Sequence, residues 1–207
     1  MRHSWPFYVL LVLLCAVGVW GWLFKPWEGD SLGRDQHIEV GIDRFDRILD
    51  EYVSLGSYAA LRRMNTQYPM ETKLLIEDVL NIGRVNEPDV ELRLRYYYLD
   101  STVQVLLDEV HRQYADMSDL EEDFDKAFEE IKKQHPDFQK PHVYTQISCL
   151  KQSIVVGDTL IGISLDKYLG ADFPLYREYY SDEQRAQMNR DAIVNDAITA
   201  YMQYCNL

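Results

Sequence analysis

Val156-Gly-Asp-Thr-Leu-Ile-Gly-Ile-Ser-Leu-Asp-Lys-Tyr-Leu-Gly-Ala-Asp-Phe-Pro-Leu-Tyr176 decides how this chain is read. Gly157-Asp158 separates two β-rich runs and suits a hairpin turn, and Leu160 to Leu165 predicts a strand. Asp166 is placed to cap a short helix from Lys167 to Leu169, which Gly170 ends by taking a left-handed conformation. Just upstream the apolar period is two: Val143, Thr145 and Ile147 alternate against Tyr144, Gln146 and Ser148, and Ser153 to Val156 follows as a further strand. These runs predict a small antiparallel sheet near residues 142–165.

The rest of the chain reads as helix. Val40, Ile42, Phe45, Ile48, Leu49 and Tyr52 recur at helical spacing, with Asp43, Arg44, Asp46, Arg47 and Asp50 on the other face. Tyr58 to Met64 gives a shorter stretch that stops before Tyr68-Pro69, and Thr72 to Leu80 another. Leu99, Val103, Leu106, Val110 and Tyr114 step by three or four, which predicts one long buried helix over 89–114. Ser118-Asp-Leu-Glu121 and Ser181-Asp-Glu-Gln184 both read as capping boxes. The first opens a helix running to Lys133 on Leu120, Phe124, Phe128 and Ile131; the second leads into closing helices that carry Met188, Ala192, Val194, Ile198, Tyr201 and Met202. The fold class is mainly α, an α+β domain with a small sheet.

Three segments follow from composition. Phe7 to Phe24 is an uncharged apolar run of 18 residues between Arg2 and Lys25; as a helix it spans about 27 Å at roughly 1.5 Å per residue, close to the hydrocarbon thickness of a bilayer. Residues 1–25 therefore enter a membrane, 26–36 have the glycine and polar content of a linker, and 37–207 form a single mostly helical domain. A retained anchor suits the length, with Trp5, Trp20, Trp22 and Trp27 near the interfaces. Acylation at Cys15 is a second reading, opposed by Leu13-Leu14 where processing wants small residues. Cleavage as a signal peptide is a third. Either way the segment places the domain outside the cytoplasm, in an oxidising compartment where Cys149 and Cys205 have the option of a disulfide or of remaining separate thiols.

The formal charge of −13, from 21 basic and 34 acidic residues, argues against nucleic acid as a partner. Catalytic constellations are missing from the sequence. The five histidines, at 3, 37, 111, 135 and 142, contain no pair at i and i+4, the spacing that presents two nitrogens to one zinc ion. No Gly-x-Ser-x-Gly elbow or phosphate-binding glycine loop occurs. His135 and His142 flank a loop from Pro136 to Pro141 and read as ordinary loop histidines. The acidic run Glu121-Glu122-Asp123 with Asp125, Glu129 and Glu130 reads as a solvated helix face partnered by Lys126, Lys132 and Lys133. Tyrosine is the suggestive residue type, because it offers contact area at little rotamer entropy. Tyr96-Tyr97-Tyr98, Tyr201 and Tyr204 join the group at Phe173, Tyr176, Tyr179 and Tyr180, and the last four are the candidate partner surface. No catalytic residue, metal ligand or cofactor is expected, and no small-molecule substrate.

With Asp191-Ala-Ile-Val-Asn-Asp196 downstream, the segment quoted above resembles the GldB family of gliding-motility lipoproteins. The likeness is strongest over residues 140–200 and looser upstream, around Tyr68-Pro69 and His135-Pro136-Asp137-Phe138. It implies a membrane-tethered, non-enzymatic envelope protein facing the periplasm, whose partners are other envelope or motility proteins. It further implies a distantly zincin-like architecture without the metal site, since the helix after the sheet offers Asn195-Asp196-Ala197-Ile198-Thr199 and no histidine. A degenerate peptidase-like domain that binds peptides without cleaving them is the alternative. Family members are usually longer, so the resemblance implies a shortened member or a coding sequence that ends early at Leu207.

Overall fold

Phe45, Ile48, Leu49, Tyr52 and Val53 are all buried, and their spacing sets the first helix against the centre of the molecule. The protein is described by a computed structural model over residues 41–206. The apolar amino-terminal segment with Cys15, the 26–36 linker and the first residues of the expected domain lie outside the described residues.

The described chain opens with a two-residue strand β1 (Ile42–Asp43), so the expected first helix, whose apolar spacing starts at Val40, begins only at Phe45. Helix α1 (Phe45–Leu55) ends at Gly56, whose φ of +68° is the left-handed conformation that closes a helix. Helix α2 (Tyr58–Thr66) is capped by the Ser57 hydroxyl, which accepts from the Ala60 amide. Pro69 starts the short helix α3 (Pro69–Lys73), which runs into a π-helical turn over Leu74–Val79 rather than continuing as α-helix. Helix α4 (Val90–Tyr98) and helix α5 (Ser101–Gln113) replace the single helix predicted over 89–114. Asp100 makes the break: its carboxylate accepts from the Thr102 amide at 2.8 Å and caps α5, while the Gln104 amide group donates to the Tyr98 carbonyl at 2.7 Å.

Helix α6 (Ser118–Gln134) also starts differently from expectation. Ser118 does not cap it; the Ser118 amide donates to Asp116, and Glu121 accepts from the Ile42 amide at 3.1 Å, tying α6 to β1. Three strands follow, β2 (His142–Gln146), β3 (Ile154–Gly157) and β4 (Leu160–Ser164). After a 3-10 turn at Leu165–Lys167 come α7 (Tyr176–Tyr179) and α8 (Asp182–Gln187), then α9 (Ile193–Cys205). The capping box at Ser181 is formed as predicted, with the Ser181 hydroxyl and the Gln184 side chain each accepting from the other residue's backbone amide.

The sheet is mixed, not antiparallel, in the order β1-β2-β4-β3. β1 and β4 both run parallel to β2, and only the β3–β4 hairpin is antiparallel. Its two-residue loop is Asp158-Thr159, one position later than predicted, because Gly157 pairs with Leu160. Alternation along a strand reports which residues face each way but not which strand lies alongside. Here the chain leaves β2, passes to the far edge as β3 and returns as β4 into the gap. Both inner strands are buried on both faces, as parallel strands covered on two sides are. Polar Thr145, Gln146, Ser148 and Ser164 are therefore inside. Thr145 donates to the Asp46 carboxylate, itself held by Arg44 at 2.8 and 2.7 Å, and Gln146 donates to Ser164 at 3.2 Å.

One close approach inside the sheet is sensitive to a single methyl. Tyr144 pairs with Gly162, and a Cβ at Gly162 would lie 2.5 Å from the tyrosine ring. The buried Tyr144 hydroxyl has no hydrogen-bond partner among the described residues. Gly162→Ala is expected to cost about 1–3 kcal/mol through overpacking, whereas Tyr144→Phe, which removes only an unpartnered hydroxyl, is expected to be neutral or slightly stabilising. Urea unfolding followed by circular dichroism checks both.

Candidate functional site

Asp166 is completely buried in the middle of the segment that the sequence singles out. It sits within the 3-10 turn and does not cap it. Its carboxylate accepts from the Ser148 amide at 2.8 Å, the Leu150 amide at 2.6 Å and the Ser148 hydroxyl at 3.2 Å. Burial pushes this carboxyl above its ordinary range, while the hydrogen bonds from the Leu150 and Ser148 amides pull the other way. Wrapping two alternate amides around one carboxylate bends the chain after β2. Cys149 and Leu150 take φ values of +55° and +65°, a conformation that side chains other than glycine rarely adopt.

Tyrosines hold this turn from several elements. The Tyr176 hydroxyl donates to the Asp166 carbonyl at 2.6 Å and accepts from the Leu169 amide at 2.9 Å. Tyr98 donates to the Ile147 carbonyl, Tyr114 to the Tyr168 carbonyl at 2.6 Å, and Tyr180 to the Leu150 carbonyl at 2.9 Å. The short helix expected over Lys167 to Leu169 is not formed: the 3-10 turn is over by Tyr168, and Gly170, though its φ is +99°, lies beyond it, with Tyr168 and Leu169 buried beside it because their side chains pack into the core.

Above the strained Cys149-Leu150 pair lies a cleft of about 690 Å³, walled by Tyr96, Tyr97, Leu106, Leu150, Tyr179 and Tyr180. Two of its rings are fixed by cations. The Lys167 ammonium lies 4.4 Å from the Tyr180 ring centroid and donates to the Tyr180 hydroxyl at 2.9 Å. Lys151 lies 5.2 Å from the Tyr97 centroid while donating to the Leu80 carbonyl at 2.6 Å. The aromatic walls are thus pre-positioned, which lowers the ordering cost of binding. Cys149 at the cleft floor is kept protonated, because burial and then the Asp166 charge push its thiol pKa up. Burial likewise holds the Tyr98 hydroxyl protonated at neutral pH.

The candidate partner surface divides. Phe173 and Tyr176 are buried, packed edge to face at 5.1 Å, and so offer no surface; their apolar rings close the core under the Asp166 segment. Tyr179, 59% exposed, and half-buried Tyr180 line the cleft with Tyr96 and Tyr97, which come from α4, far away in sequence. Tyr98 and Tyr201 are core, and Tyr204 lies elsewhere, donating to Asp158 at 2.6 Å. Cys149 and Cys205 are separate thiols with different neighbours, Tyr98 for the first and Tyr201 for the second. The acidic face of α6 carries the expected ion pairs from Lys126 to Glu122 and from Lys133 to Glu130, but Asp125 is buried rather than solvated, and it and Glu129 pair with Lys140, which the loop before β2 brings over the helix.

His135 and His142 have different surroundings. His135 follows α6 beside a hollow lined by Phe138, Tyr201 and Cys205. His142, which sequence reasoning passed over as a loop residue, opens β2 with its Nε2 3.5 Å from both Asp43 and Glu71. The signal was available only in the fold, since Asp43 and Glu71 reach it from β1 and α3. The Glu71 hydrogen bond raises the His142 pKa above its ordinary 6.5. Among the described residues no three His, Cys, Asp or Glu side chains are grouped as metal ligands.

The fold and site define an α+β domain with a mixed four-stranded sheet and an aromatic cleft. The chain belongs to the gliding motility protein GldB family, whose model matches residues 30–206. A comparison with curated proteins and with solved structures finds no match.

Two outcomes test the site. Asp166→Asn replaces one acceptor oxygen by a donor and leaves a buried amide unpaired, so the urea midpoint should fall by the equivalent of about 1–3 kcal/mol. His142 stabilises the fold in its protonated state, so its contribution is full below pH 6.5 and is lost as pH rises through its raised folded value. The stability difference between the wild type and His142→Gln should accordingly shrink with rising pH in unfolding titrations.

Proposed function

We propose that this chain is a membrane-tethered envelope protein of the gliding-motility apparatus that works as a non-enzymatic scaffold, its domain facing the periplasm. Membership of the GldB family supports the motility assignment, and acylation at Cys15 or a retained anchor over Phe7 to Phe24 supplies the tether. The observation that carries the scaffold reading is the cleft, in which Tyr97 and Tyr180 are held by lysines before any partner arrives. Rigid tyrosines over a protonated thiol make a recognition surface for another envelope protein, with Tyr96 and Tyr179 as its outer contacts. The partner inserts an apolar or aromatic side chain between the rings.

A second reading is favoured by the concavity of the same site. A cleft suits an extended peptide as well as a protruding side chain, which is what a degenerate peptidase-like domain of distant zincin kinship would retain.

A photo-crosslinking amino acid at position 179, introduced into the full-length protein in its native cell, separates these readings. Repeated capture of one defined envelope protein, weakened by Tyr96→Ser, is the expected result. Capture of unrelated extended peptides would favour the peptide-binding alternative. Peptide hydrolysis or stoichiometric zinc in the purified protein would overturn the non-enzymatic assignment.

A further inference from the structure

The large hydrophobic side chains left exposed are not spread evenly. Among the described residues, Leu55, Tyr58, Met70, Val85, Leu92, Tyr96 and Leu99 all fall between positions 55 and 99, leaving Val105, Tyr179 and Tyr204 for the remainder. The charge is uneven in the same sense. Residues 55–99 hold six acidic and six basic side chains, whereas the whole chain carries −13. One helical layer is therefore neutral and apolar on an otherwise acidic protein.

Within that layer a continuous face can be traced. On α4 the buried residues are Val90, Leu94 and Tyr98, and Leu92, Tyr96 and Leu99 stand on the opposite side at i, i+4 and i+7. Arg95 borders this stripe and lies against Gly56, where an added Cβ would be 3.0 Å from its guanidinium. Arg95 also donates to the Val53 carbonyl at 3.4 Å, and the Tyr52 hydroxyl donates to the Glu91 carbonyl at 3.0 Å, so the end of α1 is tied to α4. This brings Leu55 and Tyr58, 78% and 87% exposed, alongside Arg95 and the α4 stripe. Arg62 is exposed one helical turn beyond Tyr58 on α2, so a cation borders this end of the face. Tyr96 marks the edge where this face meets the cleft.

We propose that this face, centred on Leu55, Tyr58, Leu92 and Leu99, rests on the lipid surface. The inference depends on the membrane-tethered reading above. Three observations select lipid as the occupant. Leucine and tyrosine flanked by arginine are the side chains that settle at a headgroup interface, with apolar bodies inserted and cationic tips drawn to phosphate. Residues 55–99 carry no net charge, so an anionic bilayer does not repel this layer as it does the acidic helix α6. Sixteen residues, 25–40, separate the apolar run from the described domain. Even fully extended they reach at most about 55 Å, which keeps the domain within reach of the bilayer. The cleft then opens at the margin of the lipid-facing surface.

The test is photolabelling of the full-length protein reconstituted in vesicles of phosphatidylethanolamine and phosphatidylglycerol that contain a phospholipid with a diazirine near its headgroup. The expected result is label on peptides covering 55–62 and 92–99 in addition to 5–27. In Leu55→Ser/Tyr58→Ser/Leu92→Ser, three exposed positions whose change leaves the core intact, the label on the domain should be lost while that on 5–27 stays. Val105→Ser/Tyr204→Ser, exposed but off this face, should keep both. Label confined to 5–27 would overturn the proposal and leave the tether standing. Label nowhere would overturn both.

Discussion

The buried carboxylate of Asp166 is the constraint on which the rest of the domain is arranged. A carboxylate with no exposed surface must be surrounded by donors, and here they come from the turn at Ser148 to Leu150. Two amides pointing at one group force Cys149 and Leu150 into the left-handed region. The chain then leaves β2 toward the far edge of the sheet, which leaves the slot that β4 fills. Strand order, the position of α7 under the turn and the floor of the cleft thus follow from one cluster of hydrogen bonds. Tyr176 and Tyr180 grip the same turn through the Asp166 and Leu150 carbonyls, so the tyrosine-rich segment packs where the strain is.

Much of the helical layer was legible. A period of 3.6 residues and a hydroxyl at Ser181 act within one or two turns of chain, so sequence is enough to read them. The errors arise where a nearby residue had a competing option. Asp100 offered its carboxylate to the Thr102 amide, and that local cap outweighed the apolar spacing that spans 89–114. Glu121 was expected to close a box with Ser118, but the Ile42 amide, 79 positions away, took the acceptor. The sheet failed for a deeper reason. Alternation along β2 is visible in sequence, but its parallel neighbour depends on where the Asp166 turn sends the chain. Of the four residues expected to form one surface, Tyr179 and Tyr180 are accessible and line the cleft while Phe173 and Tyr176 are buried, and the wall from Tyr96 and Tyr97 depends on the packing of α4 near the Leu150 turn.

The polar interior of the sheet is organised by paired demands. Thr145 on the inner strand donates to Asp46, whose two oxygens also receive Arg44, and Arg44 reaches the Tyr114 carbonyl at the end of α5 at 2.7 Å. A buried ion pair of this kind adds little net stability, because desolvation offsets much of its attraction, but removing either partner leaves an uncompensated charge. It therefore acts on register: β1, α1, β2 and the end of α5 fit together only when all four donors and acceptors meet. The same logic applies at Asp166, with amides in place of a guanidinium.

The Asp166 cluster also fixes the backbone beside the cleft. Strain at Cys149 and Leu150 is retained only because Asp166 over-determines the turn, and the turn's outer side is the cleft floor. A flexible floor would have to be ordered by each partner, at about 0.5–1.5 kcal/mol for each immobilised side chain. Here Lys167 and Lys151 already hold the Tyr180 and Tyr97 rings, and the backbone beneath is fixed. What the molecule presents is a preformed aromatic wall beside a thiol that burial holds in its neutral form.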